Sequence, residues 1–201
     1  MTSKIVIFTD LDGTLLHNET FEFENIRQYI KSLLSKNISI IPNSSKTKAE
    51  ILNFCHELKE ELPFIAENGA AIYKMNFINS DFPEKIILSR DKDEILNIFL
   101  KKIPKKFILK CKFVLKLKKD EQLKIFGLSE KQLSYASDRE FSVPLLFKGN
   151  KVEKNNLFRL ASDMGLTMQE GGRVINLSDN VCKSFAMKKV RRIFDKTEKQ
   201  E

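Results

Sequence analysis

Two aspartates that follow a short apolar run are the residues with the clearest chemical potential. Asp10 and Asp12 lie two positions apart at the end of residues 5–9, whose apolar and β-branched side chains predict a buried strand. A period of two directs both carboxylates to the same side of the chain. One carboxylate can attack phosphorus and form an aspartyl-phosphate, while the other protonates the leaving group and then activates water. An acidic turn without a chemical role is the simpler alternative for so short a pattern.

A phosphate near two carboxylates requires a cation, and Mg²⁺ is the natural choice because it prefers oxygen ligands and keeps water and phosphate oxygens in its shell. The side chain of Asp10 and the backbone carbonyl of Asp12 are the candidate ligands. Gly13 permits a sharp turn beside them, and Thr14 adds a hydrogen-bond donor for the phosphate. Ser44 offers a hydroxyl to the phosphoryl oxygens or caps the helix that follows it, and both roles stay open.

The elements that must position these residues alternate along the first third of the chain. Apolar runs predict strands at residues 5–9, 38–42 and 64–66, and helical spacing predicts helices at 23–34 and 46–58. Such alternation indicates right-handed βαβ units and a parallel α/β sheet, in which ligands gather at the carboxyl ends of the strands. Asp10, Ser44 and Asn68 each follow one strand, so we expect these three residues to meet at one edge.

The middle of the chain predicts a different, inserted α+β unit. Strands are predicted at residues 85–88, 140–147 and 173–177, and helices at 91–102, 152–164 and from 180 to about 194. A capping box, Ser129-x-x-Gln132, predicts the start of one more short helix. We therefore divide the chain into a core from 1 to 80, an insert from 81 to 177, and a return helix from 178 to 201.

Composition indicates a globular protein, because 42% of the 201 residues are hydrophobic and 31% are charged. No apolar stretch approaches the ~18 residues that a membrane span requires, and no leader cleavage site follows the first run. Cys55, Cys111 and Cys182 have neither disulfide nor zinc spacing, which favours reduced thiols in the cytoplasm. The net charge of +8 favours a solvated basic surface over nucleic-acid binding, since no nucleic-acid motif accompanies it. The sequence does not determine the oligomeric state.

Longer motifs resemble one family. Val6-Ile-Phe-Thr-Asp-Leu-Asp-Gly-Thr-Leu-Leu16 looks like the first motif of the haloacid dehalogenase (HAD) superfamily phosphatases. The segments Ser44-Ser-Lys-Thr-x-Ala-Glu-Ile51 and Pro63-Phe-Ile-Ala-Glu-Asn-Gly69 are narrower signals and resemble mannosyl-3-phosphoglycerate phosphatase. Further matches lie in residues 136–144 and 165–173, so the resemblance extends from about residue 5 to residue 183.

The resemblance implies a HAD-like, Rossmann-like parallel sheet core with an inserted α+β cap domain. It implies a Mg²⁺-dependent phosphatase that converts mannosyl-3-phosphoglycerate, or a related glycosyl-3-phosphoglycerate, to mannosylglycerate and phosphate. Asp10 would be the nucleophile, Asp12 the general acid/base, and Ser44 and Lys183 the second-motif and third-motif residues. The residues that would bind the substrate are Thr14, Ser45, Lys46, Asn68, Arg139, Glu140, Gly172 and Arg173. For the arginines, whose planar forks suit carboxylates and phosphates, a structural ion pair is the alternative.

The sequence departs from the family after Lys183. The fourth motif, a Gly-Asp followed by Asn-Asp that adds metal-binding carboxylates, is absent, and Cys182 and Ser184 replace the usual aspartate and glycine of the third motif. The resemblance therefore implies a core that lacks its last strands, weaker Mg²⁺ binding and an uncovered edge on the strand before Asp10. The alternatives are an inactive remnant that binds a phosphorylated ligand, another HAD sugar-phosphate phosphatase and, less favoured, a nucleic-acid binder.

Overall fold

The computed structural model describes residues 5–17, 20–78 and 80–197, without the side chains of 195–197. The described chain forms two compact units. The first contains the residues up to 88 together with those from 182 onward, and the second contains residues 89–181. None of the helices in these ranges is long and apolar enough to cross a membrane.

The first unit begins with the alternation that the sequence predicts. Its elements are β1 (Val6–Thr9), α1 (Glu24–Leu34), β2 (Ser39–Pro42), α2 (Lys48–Leu58) and β3 (Phe64–Ala66). β1 and β2 are parallel, with Val6 opposite Ser39 and Thr9 opposite Pro42. A single parallel bridge between Asn43 and Ile65 connects the end of β2 to β3. The predicted βαβ arrangement is therefore confirmed.

Two further strands extend the first unit beyond β3. β4 (Ala71–Tyr73) pairs antiparallel with β3, and β5 (Lys85–Ile87) pairs antiparallel with β4. The sequence pattern groups residues 85–88 with the insert, but their hydrogen bonds to β4 and to Ala70 place them in the first unit. The second unit therefore begins at Ser89. Among the strands of the described residues, β1 forms a ladder with β2 alone.

The second unit is an antiparallel sheet with helices. Its helices are α3 (Lys92–Lys102), α4 (Lys105–Ile108), α5 (Lys119–Phe126), α6 (Glu130–Ser137) and α7 (Lys151–Asp163). Its strands are β6 (Cys111–Phe113), β7 (Ser142–Phe147), β8 (Leu166–Glu170) and β9 (Ile175–Asp179), in the order β6-β7-β9-β8. The predicted capping box opens α6, since Ser129 accepts from the backbone of Gln132 and the Gln132 side chain accepts from Ser129. The strands β6 and β8 and the helices α4 and α5 were not predicted.

Each unit has its own apolar core. In the second unit, Phe99 of α3 and Leu157 of α7 are fully buried against Leu145 and Leu177 of the sheet. In the first unit, Ala186 and Val190 of α8 (Lys183–Thr197) lie in a core cluster with the apolar side chains Ile41, Ile65 and Ile72. Full burial of such a side chain contributes about 1.5–3 kcal/mol. This packing fixes the first residue of α8 relative to the strands of the same unit.

Candidate active site

Asp10 directly follows β1 and has both of its carboxylate oxygens engaged. Its Oδ1 accepts a hydrogen bond from the Leu11 backbone at 2.8 Å, and its Oδ2 accepts one from Lys183 Nζ at 2.5 Å. The Asp10 side chain is nevertheless 41% exposed, and that of Lys183 is 32% exposed. The carboxylate is therefore held in one orientation while a small molecule can still reach it.

Lys183 owes its position to two contacts with the start of α8. The buried Asn43 donates from Nδ2 to the Lys183 carbonyl at 3.3 Å, and its backbone N–H donates to the carbonyl of Thr9 at 2.8 Å. A Cβ built on Gly69 would lie only 2.4 Å from the carbonyl oxygen of Cys182. The turn that contains Gly69 therefore packs directly against the peptide that precedes Lys183, and only glycine fits there.

This turn has an unusual backbone, because Glu67, Asn68 and Gly69 have consecutive positive φ angles of 46°, 59° and 99°. Left-handed conformations cost non-glycine residues about 1–2 kcal/mol each. Hydrogen bonds from the turn to the neighbouring loop offset that cost, since Glu67 N–H donates to the Lys46 carbonyl and Asn68 N–H to the Ser44 carbonyl, both at 2.9 Å. The carboxyl ends of β1, β2 and β3 thus lie side by side, as the strand pattern predicts.

Asp12 is also accompanied by a lysine. Lys46 Nζ lies 3.0 Å from Asp12 Oδ1 and 3.2 Å from Glu50 Oε1, and the Lys46 side chain is only 11% exposed. Lys46 and Asp12 form an ion pair, but the Lys46 ammonium is not aligned for a hydrogen bond. The buried Asp12 Oδ1 therefore has no hydrogen-bond partner. Both candidate catalytic carboxylates are therefore matched by a positive charge from this chain.

Ser44 has no exposed surface, and its Oγ accepts a hydrogen bond from the Lys46 backbone at 3.3 Å. The alternative role of Ser44 as the cap of α2 is wrong, because that residue is Thr47. Thr47 Oγ1 accepts from Glu50 N–H at 3.1 Å, and the Glu50 carboxylate accepts from Thr47 N–H at 2.9 Å. Ser45 is half-buried and Thr14 is exposed, so these two hydroxyls are open to a ligand without rearrangement.

Few side chains near Asp10 and Asp12 could bind a metal ion. The described residues contain no cluster of three or more His, Cys, Asp or Glu side chains that could hold a metal. One side chain is nevertheless suitable, the partly exposed carboxylate of Asp10. The backbone carbonyl of Asp12 is the second predicted ligand, because Asp12 Oδ1 is buried beside the Lys46 ammonium. Mg²⁺ commonly binds one or two protein carboxylates and takes its other ligands from water and phosphate. The residues present fit an ion that is held in this way.

The four remaining predicted site residues lie in the second unit. Arg139 is 8% exposed, donates from Nη1 to Ser142 Oγ at 2.9 Å, and has a buried Nε without a hydrogen-bond partner. Arg173 donates from Nη1 to the Phe126 carbonyl. Neither arginine forms an ion pair with a described carboxylate, so the structural ion pair considered as an alternative is not observed. The Glu140 carbonyl accepts from Lys92 N–H, and a Cβ on Gly172 would meet no atom within 4 Å.

Three residues that support the site were missed in the sequence. Asn43 carries no local signal, because its role depends on Thr9 and Lys183, which are distant in the chain. Glu50 carries one, since Thr47-x-x-Glu50 has the spacing of a capping box. Gly69 closes an Asn-Gly pair that predicts a turn, but its contact with Cys182 follows from the packing of α8.

The cysteines are all free thiols. Burial raises the pKa of Cys55 and of Cys111 to about 11, so both thiols stay protonated at neutral pH. Cys182 is exposed, and a contact with the Ser184 hydroxyl at 3.1 Å lowers the pKa of its thiol.

Comparison with known proteins defines the class of enzyme to which this chain belongs. Residues 7–161 match the family of haloacid dehalogenase-like hydrolases. A solved structure from Thermoplasma acidophilum superposes with a TM-score of 0.65 at 15% identity, over 96% of this chain and 72% of that one. A HAD-superfamily phosphatase from Bacteroides thetaiotaomicron superposes with a TM-score of 0.66 at 13% identity, over 96% and 73%. Fold and family model together define a HAD-like hydrolase, as the motifs predict.

A relative from Persephonella marina identifies a more specific family within the HAD-like hydrolases. The chain is 33% identical over 200 residues to its glucosyl-3-phosphoglycerate/mannosyl-3-phosphoglycerate phosphatase, a match that covers 95% of this chain and 73% of that protein. The chain therefore belongs to the glucosyl-3-phosphoglycerate/mannosyl-3-phosphoglycerate phosphatase family of HAD-like hydrolases. The resemblance inferred from the motifs is confirmed.

Proposed function

We propose that this protein hydrolyses the phosphate ester of a glycosyl-3-phosphoglycerate, mannosyl or glucosyl, through an aspartyl-phosphate on Asp10. The observation that carries the proposal is the Asp10 carboxylate, which is 41% exposed and held by Leu11 N–H on one oxygen and Lys183 Nζ on the other. A carboxylate held in one orientation is suited to in-line attack on a phosphorus atom.

In the first step, an Asp10 oxygen forms a bond to phosphorus while the bond between phosphorus and the glycerate oxygen breaks. Asp12 gives its proton to the departing alkoxide, which leaves as the glycosylglycerate alcohol. Lys183, whose ammonium already lies 2.5 Å from Asp10 Oδ2, neutralises negative charge beside the phosphoryl group. Ser45 and Thr14 would supply further donors to the phosphoryl oxygens, as would the buried Ser44 once the loop that covers its hydroxyl moves.

In the second step, Asp12 accepts a proton from the water that attacks the phosphorus, and the bond between Asp10 and phosphorus breaks. Inorganic phosphate leaves, and Asp10 returns as a free carboxylate with Asp12 protonated for the next cycle. Asp10 and Asp12 are the residues that would hold Mg²⁺. When bound, the ion offsets the repulsion between phosphate and the two carboxylates.

Recognition of the glycosylglycerate part is assigned to Lys46, Asn68, Arg139, Glu140, Gly172 and Arg173. Arg139 supports this assignment, because its Nε is a buried donor without a protein partner and a carboxylate would satisfy it. The name of the P. marina relative supports the choice of substrate. The free thiols Cys55, Cys111 and Cys182 support a cytoplasmic location.

The test is phosphate release from mannosyl- and glucosyl-3-phosphoglycerate, with and without Mg²⁺, for the chain and for Asp10→Asn. We expect Mg²⁺-dependent release that falls by about 10³-fold or more in the variant, because the amide cannot act as the nucleophile. Asp93→Asn makes the same chemical change at an exposed position of α3 and should retain full activity.

Three outcomes would contradict the proposal. Release that survives Asp10→Asn would exclude the covalent mechanism. A kcat/KM for a sugar phosphate without glycerate that equals the value for the glycosyl-3-phosphoglycerates would exclude a glycosyl-3-phosphoglycerate as the specific substrate. Binding of the substrate without turnover by the folded chain would favour the inactive remnant.

A further inference from the structure

The contacts around Lys46 go beyond what binding of a substrate requires. Its ammonium lies between two carboxylates, at 3.0 Å from Asp12 Oδ1 and 3.2 Å from Glu50 Oε1. The ring of Phe21 covers it, with 4.6 Å between the nitrogen and the ring centroid. The side chains of Lys46 and Glu50 are 11% and 15% exposed, and that of Asp12 is 37% exposed although its Oδ1 is buried. Charges that are shielded from water interact more strongly than those on the surface. The position of Lys46 therefore constrains the position of Asp12.

Glu50 is itself fixed by the start of α2. One carboxylate oxygen accepts the backbone N–H of Thr47 at 2.9 Å, and the other accepts Lys46 Nζ. The backbone of Lys46 is held as well, since its N–H donates to Ser44 Oγ and its carbonyl accepts from Glu67 N–H. A continuous chain of contacts thus runs from the helix cap through Glu50 and Lys46 to Asp12.

We propose that Glu50 is a positioning residue that holds the Lys46 ammonium against Asp12 and so fixes the orientation of the acid/base carboxylate. The inference rests on the proposed role of Asp12. Asp12 Oδ1 has no aligned hydrogen-bond partner among the described residues, so the charge of Lys46 is what keeps this oxygen in place. A lysine side chain has many rotamers, and without the second carboxylate the ammonium is free to leave Asp12.

Glu50→Gln separates this role from capping. Glutamine serves at the same position of a capping box, and the chain contains such a box at α6, where Ser129 N–H donates to Gln132 Oε1 at 3.0 Å. The variant therefore keeps the cap of α2 and loses the charge and the acceptor oxygen that face Lys46. Glu57→Gln, at an exposed position in the last turn of the same helix, is the matched control.

The kinetic test compares two esters. A p-nitrophenyl group leaves with little help from an acid, whereas the glycerate alkoxide of mannosyl-3-phosphoglycerate requires a proton. For Glu50→Gln we expect kcat/KM to fall about 10- to 100-fold with the alkyl ester and less than about 3-fold with the aryl ester. Asp12→Asn should show the same selectivity with a larger loss, and Glu57→Gln should change neither ester. Equal losses on both esters, or no loss on either, would overturn the inference.

A second readout does not depend on turnover. Reductive methylation with formaldehyde is carried out on the intact, folded protein. Mass spectrometry of the peptides after digestion then reports the accessibility of each lysine. We expect Lys46 to be labelled several-fold faster in Glu50→Gln than in the wild type or in Glu57→Gln, because the ammonium is released. An unchanged rate would overturn the inference. A wild type that protects Lys46 but hydrolyses neither ester would refute the proposed phosphatase and leave the contact confirmed.

Discussion

Both units contain an ion pair at the end of a strand, but the two pairs are built differently. In the first unit, Lys183 Nζ meets one oxygen of Asp10. In the second, Arg90 donates from its backbone N–H and Nε to Asp179 Oδ2 at 3.0 Å and from Nη2 to Oδ1 at 2.5 Å. Arg90 Nη2 also donates to the Gly165 carbonyl at 3.2 Å. The lysine is a point charge that a phosphate can share, whereas the guanidinium fork engages both carboxylate oxygens and fastens the two chain ends of its unit.

The backbone conformations of the two units also differ. The six described non-glycine residues with positive φ all lie in the first unit, namely Phe21, Asn37, Lys59, Glu67, Asn68 and Lys74. In the second unit, the described residues with positive φ are Gly127 and Gly165, for which this conformation has no steric cost. Backbone strain is thus confined to the unit that holds the candidate nucleophile, where surrounding hydrogen bonds maintain it.

The largest expected effect on stability is that of a substitution at Gly69 in the first unit, and Gly172 in the second unit provides the comparison. Gly69→Ala places a methyl group 2.4 Å from the Cys182 carbonyl at a φ of 99°, and we expect a loss of about 2–4 kcal/mol in the free energy of unfolding. Gly172→Ala meets no atom within 4 Å and should change stability by less than about 0.5 kcal/mol. Urea denaturation of the two variants measures both values. A similar loss for the two would contradict the tight contact at Gly69.

A pH-dependent effect is expected from the ion pair of the second unit. The hydrogen bonds from Arg90 lower the pKa of Asp179 to about 2, below its ordinary value of about 3.9. Because the folded-state pKa is the lower one, the stabilisation is fully present above about pH 5 and is lost as the pH falls through the unfolded-state pKa towards 2. We expect Asp179→Asn to cost about 1–2 kcal/mol at pH 7, a value limited by partial exposure of the pair.

Urea denaturation at several pH values checks this window. The difference in stability between the wild type and Asp179→Asn should be constant above about pH 5 and should shrink between pH 4 and pH 2. A difference that is as large at pH 2.5 as at pH 7 would mean that the carboxylate charge does not contribute.

The smallest expected effect distinguishes the two capping boxes. Thr47 is fully buried and Ser129 is exposed, so we expect Thr47→Ala to cost about 1–2 kcal/mol and Ser129→Ala about 0.5–1 kcal/mol. Thr47→Ala should also lower phosphate release, because the loop from Ser44 to Lys46 leads into this cap, while Ser129→Ala should not. Thermal unfolding and turnover assays measure the two quantities. Equal effects on turnover would remove the distinction between a cap that supports the site and one that only begins a helix.

Local patterns predicted much of this fold. The apolar runs before Asp10 and at 64–66 predicted β1 and β3, and the capping box at Ser129 predicted α6, because burial and capping act within a few residues. The strands β4, β6 and β8 were missed. Two are only three residues long, and Leu166–Glu170 ends in exposed polar residues, so their pairing with neighbouring strands decides their conformation.

For the site, the sequence by itself determined which chemistry is available. Asp10 and Asp12 after an apolar run, with Ser44 and Asn68 after two others, predicted a nucleophile, an acid/base partner and a phosphate donor at one sheet edge, because strand ends in a parallel sheet face the same way. Family motifs added Lys183.

Only the tertiary structure decided which groups hold these carboxylates. The contact of Lys183 with Asp10 spans 173 residues of sequence, and Asn43 and Gly69 place that lysine by touching the start of α8. The pairing of Lys46 with both Asp12 and Glu50 depends equally on the fold. Such long-range contacts leave no periodic trace in the sequence, because their energy is realised only after the strands and α8 have packed together.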